Sequence, residues 1–277
     1  MRLTFRRLFY DDRNKIMFCA IPKTGITSWK KLLMQLASDS PYELDTGIHN
    51  LTTLAEHGIK VFTKVYKEEQ RNFMLNTYHK VLAVRHPVLR LISAYKDKFF
   101  DDLYSQRHNE LIIETYRTAP VDPFSPYVNR PTWLEFMHFV LEHEKSQGDV
   151  HWMRYESLCQ PCKHNYDSII KLETIDEDVK DFLRFFDKGN VSYSHSNPSI
   201  GQEEKTLDDY MNELPKDMWE KLIEFYGLDM AMFGYSVDLN RGRLFCDYSK
   251  IPMPRRLVQS TTSYEDNEED LVTLRCC

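Results

Sequence analysis

The chain has 277 residues, 42% hydrophobic and 28% charged, with 16 Phe, 16 Tyr and four Trp; this is the make-up of a folded globular protein with a substantial core, not of a disordered chain. A net charge of −6 and a pI of about 5.9 argue against a general nucleic-acid binder, so no nucleic-acid partner is expected. No stretch reaches the ~18 apolar residues of a membrane span, and "MRLTFRRLFYDDR" has no apolar core of signal-peptide length.

Residues 1–12 read as a basic lead-in. Residues 1–31 carry eight Lys or Arg (Arg2, Arg6, Arg7, Arg13, Lys15, Lys23, Lys30, Lys31) against Asp11 and Asp12, which suits either a solvated surface or an anionic ligand. "KIMFCAI" predicts a buried strand, and Ser28 to Leu36 a helix with Trp29, Leu32, Leu33 and Leu36 on one face. A second strand-loop-helix unit follows in "KVLAVRHPVLRLISAYKDKFF", with the strand at Val81 to Val84 and the helix at Leu89 to Phe99. Pro87 fits the first turn of that helix, where a missing N–H costs nothing. Residues 101–131, polar and punctuated by proline, predict a long surface excursion. "TWLEFMHFVLEHEK" predicts a helix opened by a capping box, Thr132 with Glu135. "YDSIIKLET" reads as a strand, and "TIDEDVKDFLRFF" as a helix with a second capping box, Thr174 with Glu177. "PKDMWEKLIEFYG" predicts a late helix ended by Gly227. Strands alternating with helices predict an α/β fold, a mainly parallel sheet flanked by helices, in a single domain over 13–238. Residues 239–277 read as an irregular acidic tail.

The chemistry concentrates where the first two strands turn into helices. Pro22, Lys23, Thr24, Gly25, Ile26, Thr27 and Ser28 place one cation, three hydroxyls and a glycine at a helix start. Backbone N–H groups there lack helical partners and the helix dipole adds positive charge, so a phosphate is the natural ligand. The logic is P-loop-like, but the pattern is not GxxxxGK[ST], because the lysine precedes the glycine. A capped helix after a strand is the plainer reading. In the second unit Arg85 stands just outside the carboxyl end of a strand, where open α/β sheets bind ligands. Ser93, eight residues on, lies about two helical turns along and is placed to share an anion with it. Otherwise Arg85 is a surface ion-pairing residue and Ser93 a small packing residue. Two separated anion sites suggest a nucleoside with a phosphate group at each end.

Six cysteines are present: Cys19, Cys159, Cys162, Cys246, Cys276 and Cys277. The Cys159–Cys162 pair fits zinc, redox chemistry or a disulfide; zinc needs further ligands and only His164 is near, so no metal is expected. Asn50 and Asn190 head N-glycosylation sequons, which matter only in a secreted protein.

The paired anion motifs resemble those of the sulfotransferases, whose 5′-phosphosulfate loop reads Pro-Lys-x-x-x-(Ser/Thr) and whose 3′-phosphate site is an Arg followed by a Ser eight residues later. Within that group the chain is similar to the Golgi carbohydrate sulfotransferases of the chondroitin and dermatan 4-O-sulfotransferase and HNK-1 sulfotransferase type. "IPKTGITSWKKLL", "VRHPVLRLISAYKDKF", "HWMRYESLCQPCKHNYDSIIKLETIDED" and "LIEFYGLDMAMFGYSV" match that family's pattern in order, over residues 13–238. The resemblance implies 3′-phosphoadenosine 5′-phosphosulfate (PAPS) as sulfate donor and a glycan hydroxyl as acceptor. It implies that Pro22 to Ser28 hold the 5′-phosphosulfate, with Lys23 also catalytic, and that Arg85 and Ser93 hold the 3′-phosphate. Ile26 stands where relatives often carry Cys, and His86 where they often carry Glu or Asp. It further implies that Cys159 and Cys162 are in disulfides, with each other or with cysteines such as Cys19 and Cys246. It also implies the Golgi lumen or membrane. Such relatives have an N-terminal anchor, so membrane association is expected only if an anchor is missing from this sequence.

Two histidines are candidates for the base that takes the acceptor's proton, since a neutral imidazole suits that task. His49 lies between the two nucleotide motifs, and position favours it. His151 sits in "DVHWMRY", where Asp149 is placed to orient it. Two other functions compete: an ATP-dependent phosphotransferase, and an inactive relative that binds glycan or nucleotide without transfer. The first normally needs carboxylates to hold Mg²⁺ beside the phosphates, and neither loop contains one.

Overall fold

The structure is a computed structural model and describes residues 3–38, 47–101, 106–189, 191, 193, 207–238 and 243–246. In chain order the elements are α1 Leu3–Arg7, β1 Leu8–Asp11, β2 Ile16–Cys19, α2 Ile26–Ser38, α3 Leu51–Glu56, β3 Ile59–Val61, α4 Glu68–Thr77 and β4 His79–Val84. They continue with α5 Pro87–Lys96, α6 Gln106–Tyr116, α7 Trp133–Gln147, α8 Tyr155–Cys159, α9 Pro161–His164, β5 Ser168–Lys171 and α10 Ile175–Phe185. The last are α11 Leu207–Asn212, α12 Lys216–Phe225, α13 Gly227–Phe233, β6 Tyr235–Asp238 and β7 Arg243–Cys246. Among the described residues no helix is long and apolar enough to cross a membrane.

The described residues divide into two compact units, the first comprising residues up to Val84 and 155–193, the second Arg85–Arg154 and 207–246. The first unit is built on a five-stranded sheet in the order β3-β1-β2-β4-β5. β2, β4 and β5 run parallel, as their near-continuous apolar runs predict. β1 pairs antiparallel with both β2 and β3 and alone runs against the other four strands, so the sheet is mixed, which corrects the expectation of a mainly parallel one. β1 also lies in the segment read as a lead-in: "LFYD" pairs with "IMFC" across a four-residue turn, and all four of its residues are buried. Trp29, Leu32, Leu33 and Leu36 of α2 enter the core with Phe9, Phe18, Val81, Ile170 and Phe182, so the predicted helical face is the buried one.

The second unit packs helices around an aromatic cluster. Tyr95, Phe99, Trp133, Phe136, Trp152 and Tyr210 meet at ring separations between 5.1 and 6.4 Å. The expected excursion over 101–131 contains α6, whose Ile112 is fully buried. The Thr132–Glu135 capping box forms with both reciprocal bonds. β6 and β7 form a small antiparallel sheet, so strand structure continues past residue 238; the rest of the expected tail, residues 239–242 and 247–277, lies outside the described residues.

Two helix-end readings need correction. Thr174 does not form a capping box with Glu177. Its hydroxyl donates to Asp178 instead, at 3.0 Å, and the same carboxylate accepts the Lys171 N–H at 2.7 Å. Asp178 thus ties the end of β5 to α10, although burial raises its pKa. Gly227 opens α13 rather than ending α12 in a left-handed turn; that role falls to Gly234, at φ 65°, one helix later.

A disulfide joins Cys19, the last residue of β2, to Cys159, the last of α8, with Cα atoms 6.1 Å apart. Cys162, half-buried in α9, is not part of this bond. A bridge spanning 140 residues restricts the unfolded chain strongly. Cys159→Ser is therefore expected to lower stability by about 2–4 kcal/mol in thermal unfolding. A non-reducing peptide map should join Cys19 to Cys159, and a map joining Cys159 to Cys162 would contradict the pairing.

Candidate active site

The loop from β2 to α2 is shaped by its own hydrogen bonds. The Ala20 N–H donates to Arg7 O at 2.8 Å, and the buried Thr24 hydroxyl donates to Ile21 O at 2.9 Å. The Thr24 hydroxyl therefore holds the loop's shape. Lys23 and Gly25 both adopt left-handed backbone, at φ 68° and 74°. For a lysine that conformation costs of order 1–3 kcal/mol and tends to mark functional loops. Position 25 requires glycine twice over, since a Cβ there would also stand 3.1 Å from Leu172 Cδ1. The first helical bond of α2 runs from Trp29 N to Gly25 O at 3.1 Å, so the N–H groups of Ile26 and Thr27 precede it at the positive end of the helix. Pro22, Lys23, Ile26 and Thr27 are half-buried. Ser28 is buried, and its hydroxyl bonds Tyr193.

β4 is adjacent and parallel to β2 and ends at Val84, immediately before Arg85. Arg85 is half-buried, as is Ser93 two turns into α5. His86 caps α5 through Nδ1, which accepts the Val88 N–H at 3.2 Å, while Nε2 lies 3.2 Å from Ser236 O. An imidazole thus fills the capping role that a carboxylate side chain serves elsewhere. Arg85 and Ser93 belong to the second unit and the Lys23 loop to the first.

The two candidate bases have opposite surroundings. His49 is exposed, and its Nδ1 lies 3.3 Å from Lys30 Nζ. An ammonium can only donate, so facing one, Nδ1 keeps its lone pair for Lys30 and the ring proton sits on Nε2. His151 is half-buried, and its Nδ1 pairs with the Asp149 carboxylate, which also accepts the His151 backbone N–H at 2.8 Å. A carboxylate can only accept, so Nδ1 carries the proton and Nε2 keeps a basic lone pair.

The turn that carries His151 is firmly held. Arg90, 1% exposed, donates to Met153 O at 2.7 Å and Val150 O at 2.8 Å, and the buried Tyr226 hydroxyl bonds Trp152 O. Sequence reasoning missed Arg90, although a guanidinium among the buried positions of α5 was the available signal. Of the sequon residues, Asn50 is exposed and caps α3, its Oδ1 accepting the Thr52 N–H at 2.8 Å; Asn190 lies outside the described residues. Among the described residues no group of three or more His, Cys, Asp or Glu could hold a metal ion.

With this geometry in place, comparison with known proteins gives a clear match. The sulfotransferase family model covers residues 6–236. Carbohydrate sulfotransferase 9 from Homo sapiens is 30% identical over 243 residues, which is 84% of this chain and 54% of that protein. Carbohydrate sulfotransferase 8 from Mus musculus is 28% identical over 83% of this chain and 56% of that protein. Carbohydrate sulfotransferase 11 from Rattus norvegicus is 28% identical over 84% of this chain and 68% of that protein. The chain thus spans just over half the length of the first two relatives. No solved structure matches it. The chain belongs to the sulfotransferase family.

Lys30 gives the region a measurable electrostatic signature. It is 7% exposed, and burial, with Arg7 adding to it, lowers its pKa to about 8. Below pH 8 the folded protein bears the full cost of a buried ammonium. Between pH 8 and about 10.5 the unfolded chain holds this proton and the folded protein does not, so this term raises stability as pH rises. Lys30→Met is expected to stabilise the fold by about 2–3 kcal/mol at pH 7. In urea unfolding that advantage should shrink towards pH 10; an advantage that does not change with pH would contradict the burial.

Proposed function

We propose that this chain transfers a sulfuryl group from PAPS to a hydroxyl of a carbohydrate. The carrying observation is the loop at the end of β2, with left-handed Lys23 and Gly25 opening α2. Its donors fit a 5′-phosphosulfate: two N–H groups at a helix start, one lysine, and no carboxylate. In this P-loop-like reading residues 22–28 hold that group, and Arg85 and Ser93 hold the 3′-phosphate. PAPS supplies the sulfuryl group and leaves as the bisphosphate PAP. Lys23 stabilises the charge that builds on the bridging oxygen as the bond to sulfur breaks. The names of the relatives support a carbohydrate acceptor. The four motifs favour a chondroitin- or dermatan-like glycan or a related glycoconjugate. A Golgi setting is supported by the family resemblance, by the Cys19–Cys159 disulfide, which suits an oxidising lumen, and by the exposed Asn50 sequon.

For the general base the geometry favours His151 over His49, reversing the preference from position alone. His151 has the tautomer in which Nε2 takes a proton, and Asp149 stabilises the imidazolium that results. His151→Ala should lower turnover by about 10²–10⁴-fold while PAP binding is kept, whereas His49→Ala should change turnover little. The opposite pattern would transfer the role to His49.

The donor assignment has a direct test in calorimetry. PAP should bind about tenfold to a hundredfold more tightly than AMP, because only PAP offers the 3′-phosphate to Arg85 and Ser93, a charge-assisted contact of about 1.5–3 kcal/mol. Lys23→Ala should reduce turnover far more than PAP affinity. Equal affinity for the two nucleotides, or binding that requires Mg²⁺ and ATP, would reject the donor and favour a phosphotransferase.

A further inference from the structure

Tyr193 is a polar group against the loop with no part in the scheme above. Its ring is half-buried on the core of the first unit, 6.3 Å from the Trp29 ring. Its hydroxyl bonds Ser28 and stands 3.6 Å from the point where a Cβ on Gly25 would project. Packing therefore fixes the ring while the phenolic oxygen rests on the residues that open α2. Leu172 Cδ1 and Ile175 Cδ1 lie 3.1 and 3.8 Å from the same point, so the hydroxyl pair has hydrocarbon beside it. In such surroundings a hydrogen bond to an anion is stronger than in water.

Two hydroxyls sharing one hydrogen bond carry two protons, and their bond uses one. Either hydroxyl can turn to offer the remaining proton to an anion. Burial pushes the Tyr193 pKa up to about 12, against the lowering effect of the Ser28 bond, and nearby Asp176 adds to the rise. At neutral pH the phenol is therefore an uncharged donor that does not repel an anion.

We propose that Tyr193 belongs to the donor site, with the Tyr193–Ser28 hydroxyl pair hydrogen-bonding the 5′-phosphosulfate end of the nucleotide. The inference rests on the donor reading above and adds a residue from the segment after α10, outside both anion motifs. It assigns Tyr193 to the 5′ end alone, so two ligands separate it from general damage: PAP, which has the 5′-phosphate, and adenosine 3′-phosphate, which lacks it. Tyr193→Phe keeps the ring and removes only the hydroxyl. In calorimetry it should weaken PAP by about tenfold or more and leave adenosine 3′-phosphate within about twofold of the parent. Unchanged or tighter PAP binding would overturn the inference, as would an equal loss for both ligands. A parent chain that binds neither nucleotide would overturn the donor reading itself, and this inference with it.

Discussion

The carboxyl end of β2 is the constraint on which the site depends. It is held on three sides: by pairing with β1 and β4, by the Ala20 N–H on Arg7 O, and by the Cys19–Cys159 disulfide. Beyond that strand end Lys23 adopts left-handed backbone, a conformation that costs a lysine what it does not cost a glycine. The reward is local. α2 starts directly after the loop, with its first N–H groups at the positive end of the helix. The disulfide, which sequence alone left among several pairings, thus sits three residues before the proposed phosphosulfate loop.

A second constraint of the same kind governs His151. A buried guanidinium is costly unless its donors are satisfied, and Arg90 satisfies two of them with carbonyls from a single turn. The turn gains fixed geometry from the cation, and the cation gains acceptors from the turn. Asp149, within the same turn, then selects the imidazole tautomer. The contrast with His49 is one of charge sign. A carboxylate beside Nδ1 makes Nε2 basic, and an ammonium there does the reverse. Position along the chain carries no information about that sign, which is why position and geometry favour different histidines.

What the sequence made legible were features set by local pattern. β2, β4, β5, α2 and α7 follow from apolar runs and helical periodicity, and the Thr132 capping box forms as its spacing implies. What escaped were features decided by tertiary partners. "LFYD" becomes a buried strand only because β2 and β3 flank it. "QRHNELIIETY" has few apolar residues, yet one fully buried isoleucine marks it as a helix that packs. Thr174 matched the capping spacing, but Asp178 could also reach the Lys171 N–H, and that longer-range bond prevailed. In the candidate site the residues of both proposed anion motifs stood out by their types. Arg90 and Tyr193 were not, because their partners are backbone carbonyls and a hydroxyl distant in sequence.

Transfer of a sulfuryl group to a sugar is read most directly by following the isotope. The purified chain would be incubated with sulfur-labelled PAPS and a panel of glycans that includes desulfated chondroitin and dermatan, and the labelled sugar then mapped. Label is expected in an O-sulfate ester on one glycan class, with no requirement for added metal. Absence of label from every glycan, in a chain that still binds PAP, would contradict it and leave a nucleotide-binding protein without transferase activity.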